Sequence, residues 1–231
     1  GIDLAIDPSI WGFEGDLTKK QIKRLRKASS VFVRDELCQQ LRNEVSSNGM
    51  DSWLNIEAEP DGEGDSTYPE PRVIHIRYKS IFDSDLPYLH SEVKLEIGAR
   101  SLLEPTADAV VKSILEEGLP ISTTIKQLAI PTAVAEKTFL EKAFLLHELF
   151  SSQLPREANR KSRHLYDLAQ MTNTDIAARA IANDELWNTI HHHRELFTSM
   201  SSVDYTPDIR KRICLLPPDD VIDDWRNDYK D

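Results

Sequence analysis

Glu92-Val93-Lys94-Leu95-Glu96-Ile97-Gly98 decides the fold class, because its apolar and charged residues alternate without a break. A period of two places Val93, Leu95 and Ile97 on one face of a strand and Glu92, Lys94 and Glu96 on the other. The pattern covers residues 91–99 and recurs over 73–81, where Ile74, Ile76 and Tyr78 oppose His75, Arg77 and Lys79. Residues 2–6, Ile-Asp-Leu-Ala-Ile, predict a third, short strand ended by Asp7-Pro8. All three read as half-buried strands with one polar face.

Between the first strand and the other two the period changes. Ile22, Leu25, Val33, Leu37, Leu41 and Val45 recur at helical spacings and predict a helix over about 18–45, stopped by Ser46-Ser47-Asn48-Gly49. Residues 57–71, rich in proline, glycine and acid, predict a loop. Residues 107–117 read as a short helix broken at Gly118 and Pro120. Helical periods follow over 134–152, 160–171, 174–183 and 184–199, then a connection over 201–218 and a last short helix over 219–230. The expected class is α+β, with a mixed sheet in a unit over residues 1–130 and an all-helical domain over 131–231.

Composition narrows the function. With 40% hydrophobic and 29% charged residues, the 231-residue chain has the makeup of a globular protein. No apolar run approaches the ~18 residues of a membrane span, and no signal-peptide pattern opens the chain. Cys38 and Cys214 stand far apart, which suggests neither a disulfide framework nor a cysteine-rich zinc site. A reducing, cytoplasmic setting is the simplest expectation. The net charge of −11 argues against a protein that grips nucleic acid with its whole surface. Sign is nevertheless segregated: residues 19–27 carry six basic side chains, whereas 57–70 and the tail with Asp219, Asp220, Asp223 and Asp224 are acidic. The basic stretch is a candidate polyanion contact, but a solvated helix face is the simpler reading of it.

Asp3 and Glu96 each sit between two core-facing residues of their strands and project from the polar face. If the strands are neighbours, two carboxylates meet on an open surface, an arrangement suited to a hard divalent ion in phosphoryl transfer. Ordinary solvent-facing acids would show the same pattern. Lys142 falls on the apolar arc of its helix, away from Glu141 and Glu148, which define a solvated side. An ammonium there must snorkel or meet a negative partner, either a triphosphate or a carboxylate. His147, beside Leu140, reads as a hydrogen-bonded core histidine. Arg163 and Asp167 stand four apart, as a surface ion pair or with Asp167 as a base or positioning carboxylate. His191-His192-His193 point about 100° apart on a helix and cannot all bind one ion. No phosphate-loop, Gly-x-Gly-x-x-Gly, nucleophile-elbow or Cys-x-x-Cys pattern occurs.

Taken in order, several segments resemble the AbiEii nucleotidyltransferase toxins, a branch of the polymerase-β-like nucleotidyltransferases. They are Ile2-Asp3-Leu4-Ala5-Ile6-Asp7, Glu92-Val93-Lys94-Leu95-Glu96-Ile97-Gly98-Ala99-Arg100, the helix from Thr138 to Glu148, and Ser162-Arg163-His164-Leu165-Tyr166-Asp167-Leu168. Val203-Asp204-Tyr205 and Arg226-Asn227-Asp228-Tyr229 are similar to family segments near the end. The resemblance implies a polymerase-β-like core. It makes Asp3 and Glu96 ligands of Mg²⁺, Lys142 and Arg163 contacts to a nucleoside triphosphate (NTP), and Asp167 the last member of the catalytic set. It further implies transfer of a nucleotide to RNA, particularly a tRNA 3′ end, by a toxin with a separately encoded antitoxin. In the family an aspartate stands two places before the residue matching Asp3, where this chain has Gly1, and a helix and glycine turn come earlier still. On that reading the chain lacks its N-terminal part, and its rate is expected to fall by on the order of 10²–10⁴. Two rival readings remain: nucleotidylation of a protein or small molecule, and an interaction domain that has kept the fold but lost the chemistry.

Overall fold

In a computed structural model, which describes residues 1–81, 91–111, 118, 128–151 and 158–230, the three period-two segments are strands. They are β1 (Ile2–Ala5), β3 (Arg72–Tyr78) and β4 (Glu92–Gly98), and β2 (Leu54–Ala58) joins them. β2 is an addition to the expected set, and its end occupies the start of the stretch read as a loop over 57–71. The sheet order is β1-β4-β3-β2, with β1 parallel to β4 and the other pairings antiparallel, so the sheet is mixed.

The helix expected over 18–45 forms as α1 (Lys19–Phe32) and α2 (Cys38–Ser47), joined without a break by a π-helical turn over Val33–Leu37. Thr18 starts it with a capping box: its hydroxyl accepts from Gln21 N at 3.3 Å, and Gln21 Oε1 accepts from Thr18 N at 2.9 Å. Residues 33, 37, 41 and 45 are spaced by four, which drifts ~40° per step around an ideal helix. The π turn absorbs part of that drift and keeps Val33, Leu37, Cys38, Leu41 and Val45 against Ile56, Ile74 and Ile97 of the sheet. Full burial of each such aliphatic side chain contributes about 1.5–3 kcal/mol. Arg72 shares the core face and is fully buried, its guanidinium donating to Ser30 Oγ at 2.9 Å, to Glu59 O and to Asp61 Oδ1 at 2.5 Å. The helices cover the apolar face and leave the polar face, with Asp3 and Glu96, uncovered by them.

The chain divides into two compact units, Gly1–Leu103 and Glu104–Asp231. The boundary therefore precedes the position near residue 130 expected from composition. The cause is a hairpin: β5 (Thr106–Val111) pairs antiparallel with β6 (Leu128–Ala133) and belongs to the second unit. Residues 106–111 are thus a strand where a helix over 107–117 was expected, and the second unit is not all-helical; residues 112–117 lie outside the described residues. A short run containing Thr106, Val110 and Val111 fits either period, and cross-strand pairing decides it.

The remaining helices follow their predicted spans. They are α3 (Ala135–Ser151), α4 (Ser162–Thr172), α5 (Ile176–Ala182), α6 (Asp184–Phe197) and α7 (Ile222–Lys230). α3 is central, packing on α4, α5 and α6. No described helix is long and apolar enough to cross a membrane.

Candidate functional site

In the first unit, the parallel register sets Asp3 directly beside Glu96. Residues paired in register project to the same face, so the two carboxylates stand side by side on the polar face of the sheet. Neither has a hydrogen-bond or ion-pair partner among the described residues. Their neighbours differ. Glu92 accepts from His75 Nδ1 at 2.8 Å, with Arg77 Nε at 3.4 Å and Lys94 Nζ at 3.8 Å. That hydrogen bond, with Arg77 and Lys94 beside it, holds the Glu92 carboxyl below the ordinary carboxylate range. One acid of this face is thus neutralised internally, and two are left available.

Hard carboxylate oxygens in register fit Mg²⁺, which uses one or two protein carboxylates and takes its other ligands from water and phosphate. Among the described residues no group of three or more metal-type side chains occurs. The backbone at Gly1 points a third substituent the same way: a Cβ there would lie 3.9 Å from Glu96 Oε1.

The far end of β4 is anchored by Glu70, a residue that strand patterning did not single out. Its buried carboxylate accepts from Ala99 N at 2.6 Å and Arg100 N at 3.1 Å, with Arg100 Nε at 3.5 Å. Burial raises its pKa, partly opposed by those donors. The approach is close enough that a Cβ on Gly98 would meet Glu70 Oε1 at 2.8 Å and Pro71 Cα at 3.4 Å. Gly98→Ala is therefore expected to cost about 1–3 kcal/mol of stability, read by urea denaturation, and Glu70→Ala in the same chain should recover part of it.

In the second unit, Lys142 on α3 reaches α4. Its Nζ lies 2.9 Å from Asp167 Oδ2 and 3.3 Å from His164 Nδ1. The partner demanded by its place on the apolar arc is thus Asp167, and the two family-like positions are brought together. This corrects the local reading of an Arg163–Asp167 pair: Arg163 is exposed and makes no ion pair among the described residues. The side chains of Lys142 and Asp167 are 22% and 42% exposed, so the pair contributes at most about 1 kcal/mol and opens cheaply. A lysine carries three N–H donors, which leaves one for an incoming anion.

His164 is the residue that spacing missed. Burial, then the neighbouring charges of Lys142 and Arg163, push its pKa below the ordinary histidine value, so it accepts from Lys142 as a neutral imidazole. His147 is a buried core histidine as expected; its Nδ1 accepts from Cys214 N at 3.2 Å, and burial followed by Arg212 lowers its pKa too. A depressed histidine binds fewer protons folded than unfolded. Both therefore contribute stability that is complete above about pH 6.5 and lost as pH falls through the folded values. Titration by nuclear magnetic resonance should give both midpoints below about 6.5; midpoints at or above it would contradict the assignment.

The other singled-out residues are structural. Glu148 is buried rather than solvated, bound by Arg194 and by the Tyr205 hydroxyl at 2.8 Å. His191 Nε2 donates to Tyr205 O at 2.7 Å, and His193 stacks on Phe197, so both rings pack within the helical unit. Asp228 accepts from Ser162 N at 2.9 Å and Arg160 N at 2.5 Å, capping the start of α4. The two C-terminal motifs thus hold the helices that carry Lys142 and Asp167.

The family model described as "Nucleotidyl transferase AbiEii toxin, Type IV TA system" matches residues 2–231. The chain belongs to the AbiEii family. AbiEii proteins are nucleotidyl transferase toxins of type IV toxin–antitoxin systems, and membership implies a cognate antitoxin. No curated protein and no solved structure matches the chain.

Proposed function

We propose that this AbiEii chain carries the machinery of a magnesium-dependent transfer of a nucleotide from an NTP to RNA, with a tRNA 3′ end as the acceptor. The observation that carries this reading is the in-register pair Asp3 and Glu96, two carboxylates on an open sheet face with no partner among the described residues. Bound there, Mg²⁺ would offset charge on the triphosphate. Lys142 takes phosphate oxygens, Asp167 and His164 hold its ammonium in place, and Arg163 gives a second cation to the nucleotide. An acceptor hydroxyl attacks the α-phosphorus in line and pyrophosphate leaves. The core would then be of the polymerase-β-like type, and the cytoplasm, which supplies both NTPs and RNA, is the setting.

The basic face of α1 is the proposed RNA contact. Lys19, Lys20 and Lys23 are exposed there, while Arg24 and Lys27 lie over the rings of Phe13 and Tyr68. Reversing the charge of Lys19, Lys20 and Lys23 should weaken RNA binding and flatten its salt dependence by nearly one unit of slope for each phosphate no longer neutralised. An unchanged slope would remove that role.

The test of the whole reading is incubation with labelled NTPs, Mg²⁺ and either total tRNA or total protein. Label in the RNA fraction is expected. Label in the protein fraction would favour a protein acceptor, which the net charge of −11 suits at least as well. No label from this chain or from Gly1→Asp, which adds a third carboxylate, would favour an interaction domain without chemistry.

A further inference from the structure

The first unit contains a pocket that the carboxylate pair does not use. It lies between the turn over Pro8–Trp11 and the outer side of α1, measures about 490 Å³, and is lined chiefly by Trp11, Arg24, Lys27, Val31, Phe32 and Glu36. Trp11 meets Phe32 edge-on, with ring centroids 5.7 Å apart, so the wall is aromatic and held in place. At the rim, Arg24 lies 5.9 Å from the centroid of the Phe13 ring and Lys27 lies 5.2 Å from that of Tyr68. Each cation is thus steadied by a ring rather than by a carboxylate. Neither makes an ion pair among the described residues, and nor does Lys20. Arg34, further along the chain, is by contrast paired with Asp35 and Asp61.

Charge and helix geometry together select the occupant. At about 100° per residue, Lys20, Arg24, Lys27 and Val31 fall within roughly 60° of arc on α1, so the cations lead along one face into the pocket. Leu25, Ser29 and Ser30 are buried on the opposite side. In a chain of net charge −11, three cations in line without carboxylate partners mark a surface for a polyanion. The aromatic pocket at the end of that line fits a polyanion that also carries flat apolar rings. Glu36 decides between a nucleic acid and an acidic peptide. Its exposed carboxylate has no hydrogen-bond or ion-pair partner among the described residues; it repels acidic side chains and accepts from the exocyclic amino group of a base. We propose that the pocket binds one unpaired base of the RNA acceptor, with the phosphates next to that base on Lys20, Arg24 and Lys27. The proposal rests on the reading of RNA as acceptor and adds to it a requirement for unpaired nucleotides. The pocket opens on the outer side of the helical layer, whereas Asp3 and Glu96 stand on the far face of the sheet. The bound base therefore belongs to a part of the RNA away from the reacting end. Stacking is open to every base, and Glu36 adds a preference for cytosine over uracil.

The test is titration of the full chain, at neutral pH and one salt concentration, with labelled single-stranded oligocytidine, single-stranded oligouridine and an RNA duplex of the same length. The wild type is expected to favour the single strands over the duplex, and oligocytidine over oligouridine. Trp11→Ala should weaken single-strand binding by on the order of tenfold and leave the duplex, held by phosphate contacts alone, unchanged. Trp11→Phe should bind like the wild type, and Glu36→Ala should bring the two single strands to the same affinity. Lys20→Ala combined with Lys27→Ala should weaken all three RNAs. Normal single-strand binding by Trp11→Ala would overturn the proposal. Loss of the duplex as well would show a structural role and overturn it equally. A wild type that binds single strand and duplex alike overturns the pocket and leaves the RNA reading standing, whereas one that binds no RNA ends that reading too. An acidic peptide bearing one phenylalanine that binds more tightly than any of the RNAs, and loses binding in Trp11→Ala, would assign the pocket to a protein and overturn the proposal.

Discussion

Lys142→Ala is expected to fold as the wild type does and to lose nucleotide transfer by on the order of 10²–10⁴, measured with labelled NTP on the full chain. Folding survives because the side chain is part-exposed and its ion pair with Asp167 at 2.9 Å is worth at most about 1 kcal/mol. Activity does not survive, because charge builds on the transferring phosphates and a fixed ammonium stabilises it where water does so poorly. Asp167→Asn separates the roles further. It leaves Lys142 held only by His164 at 3.3 Å, so transfer should fall less than in Lys142→Ala, and nucleotide binding less still. Wild-type transfer by Lys142→Ala would refute the assignment.

The largest effect on stability is expected at Glu148. Both its oxygens are engaged: Oε1 accepts from Arg194 Nε and from the Tyr205 hydroxyl, each at 2.8 Å, and Oε2 accepts from Arg194 Nη2. The side chains of Glu148 and Arg194 are 3% and 18% exposed, and burial with the Glu148 hydrogen bond raises the pKa of Tyr205. Glu148→Ala would leave a guanidinium and a hydroxyl inside without an acceptor. Breaking a buried pair from one side costs about 3–5 kcal/mol, a large share of the roughly 5–15 kcal/mol that holds a domain folded. Urea denaturation of the full chain should show that loss, and a smaller one for Glu148→Gln, whose amide oxygen still accepts. A loss under about 1 kcal/mol in the alanine variant would mean that water reaches the pair.

The sheet was legible because alternation is a local property. Val93, Leu95 and Ile97 against Glu92, Lys94 and Glu96 fixed both faces of β4; β1 forms where its alternation put it, but as an edge strand it is exposed on both faces, Ile2 and Leu4 included, so its half-buried reading is corrected. The adjacency of Asp3 and Glu96 was not legible, since strand order depends on tertiary pairing; the parallel β1–β4 register supplies it. β5 and β6 were missed for a related reason, as short runs become strands only through each other. Glu148 was misread because α3 is buried around most of its circumference, with Phe139, Leu140, Phe144, Leu146 and Phe150 all inside. Glu148 stands one turn beyond Phe144, and that spacing was the available warning. His164 lies within the Ser162–Leu168 motif, but nothing local shows that it meets Lys142 across 22 residues.

On the proposed reading, nucleotide binding depends on a magnesium ion that Asp3 and Glu96 would hold on their sheet face. The decisive measurement is titration of a non-hydrolysable NTP into the wild type, Asp3→Asn and Lys142→Ala, with and without Mg²⁺. Binding that needs Mg²⁺ and is weakened by either substitution is expected. Binding without Mg²⁺, or binding that Asp3→Asn leaves unchanged, would contradict that reading.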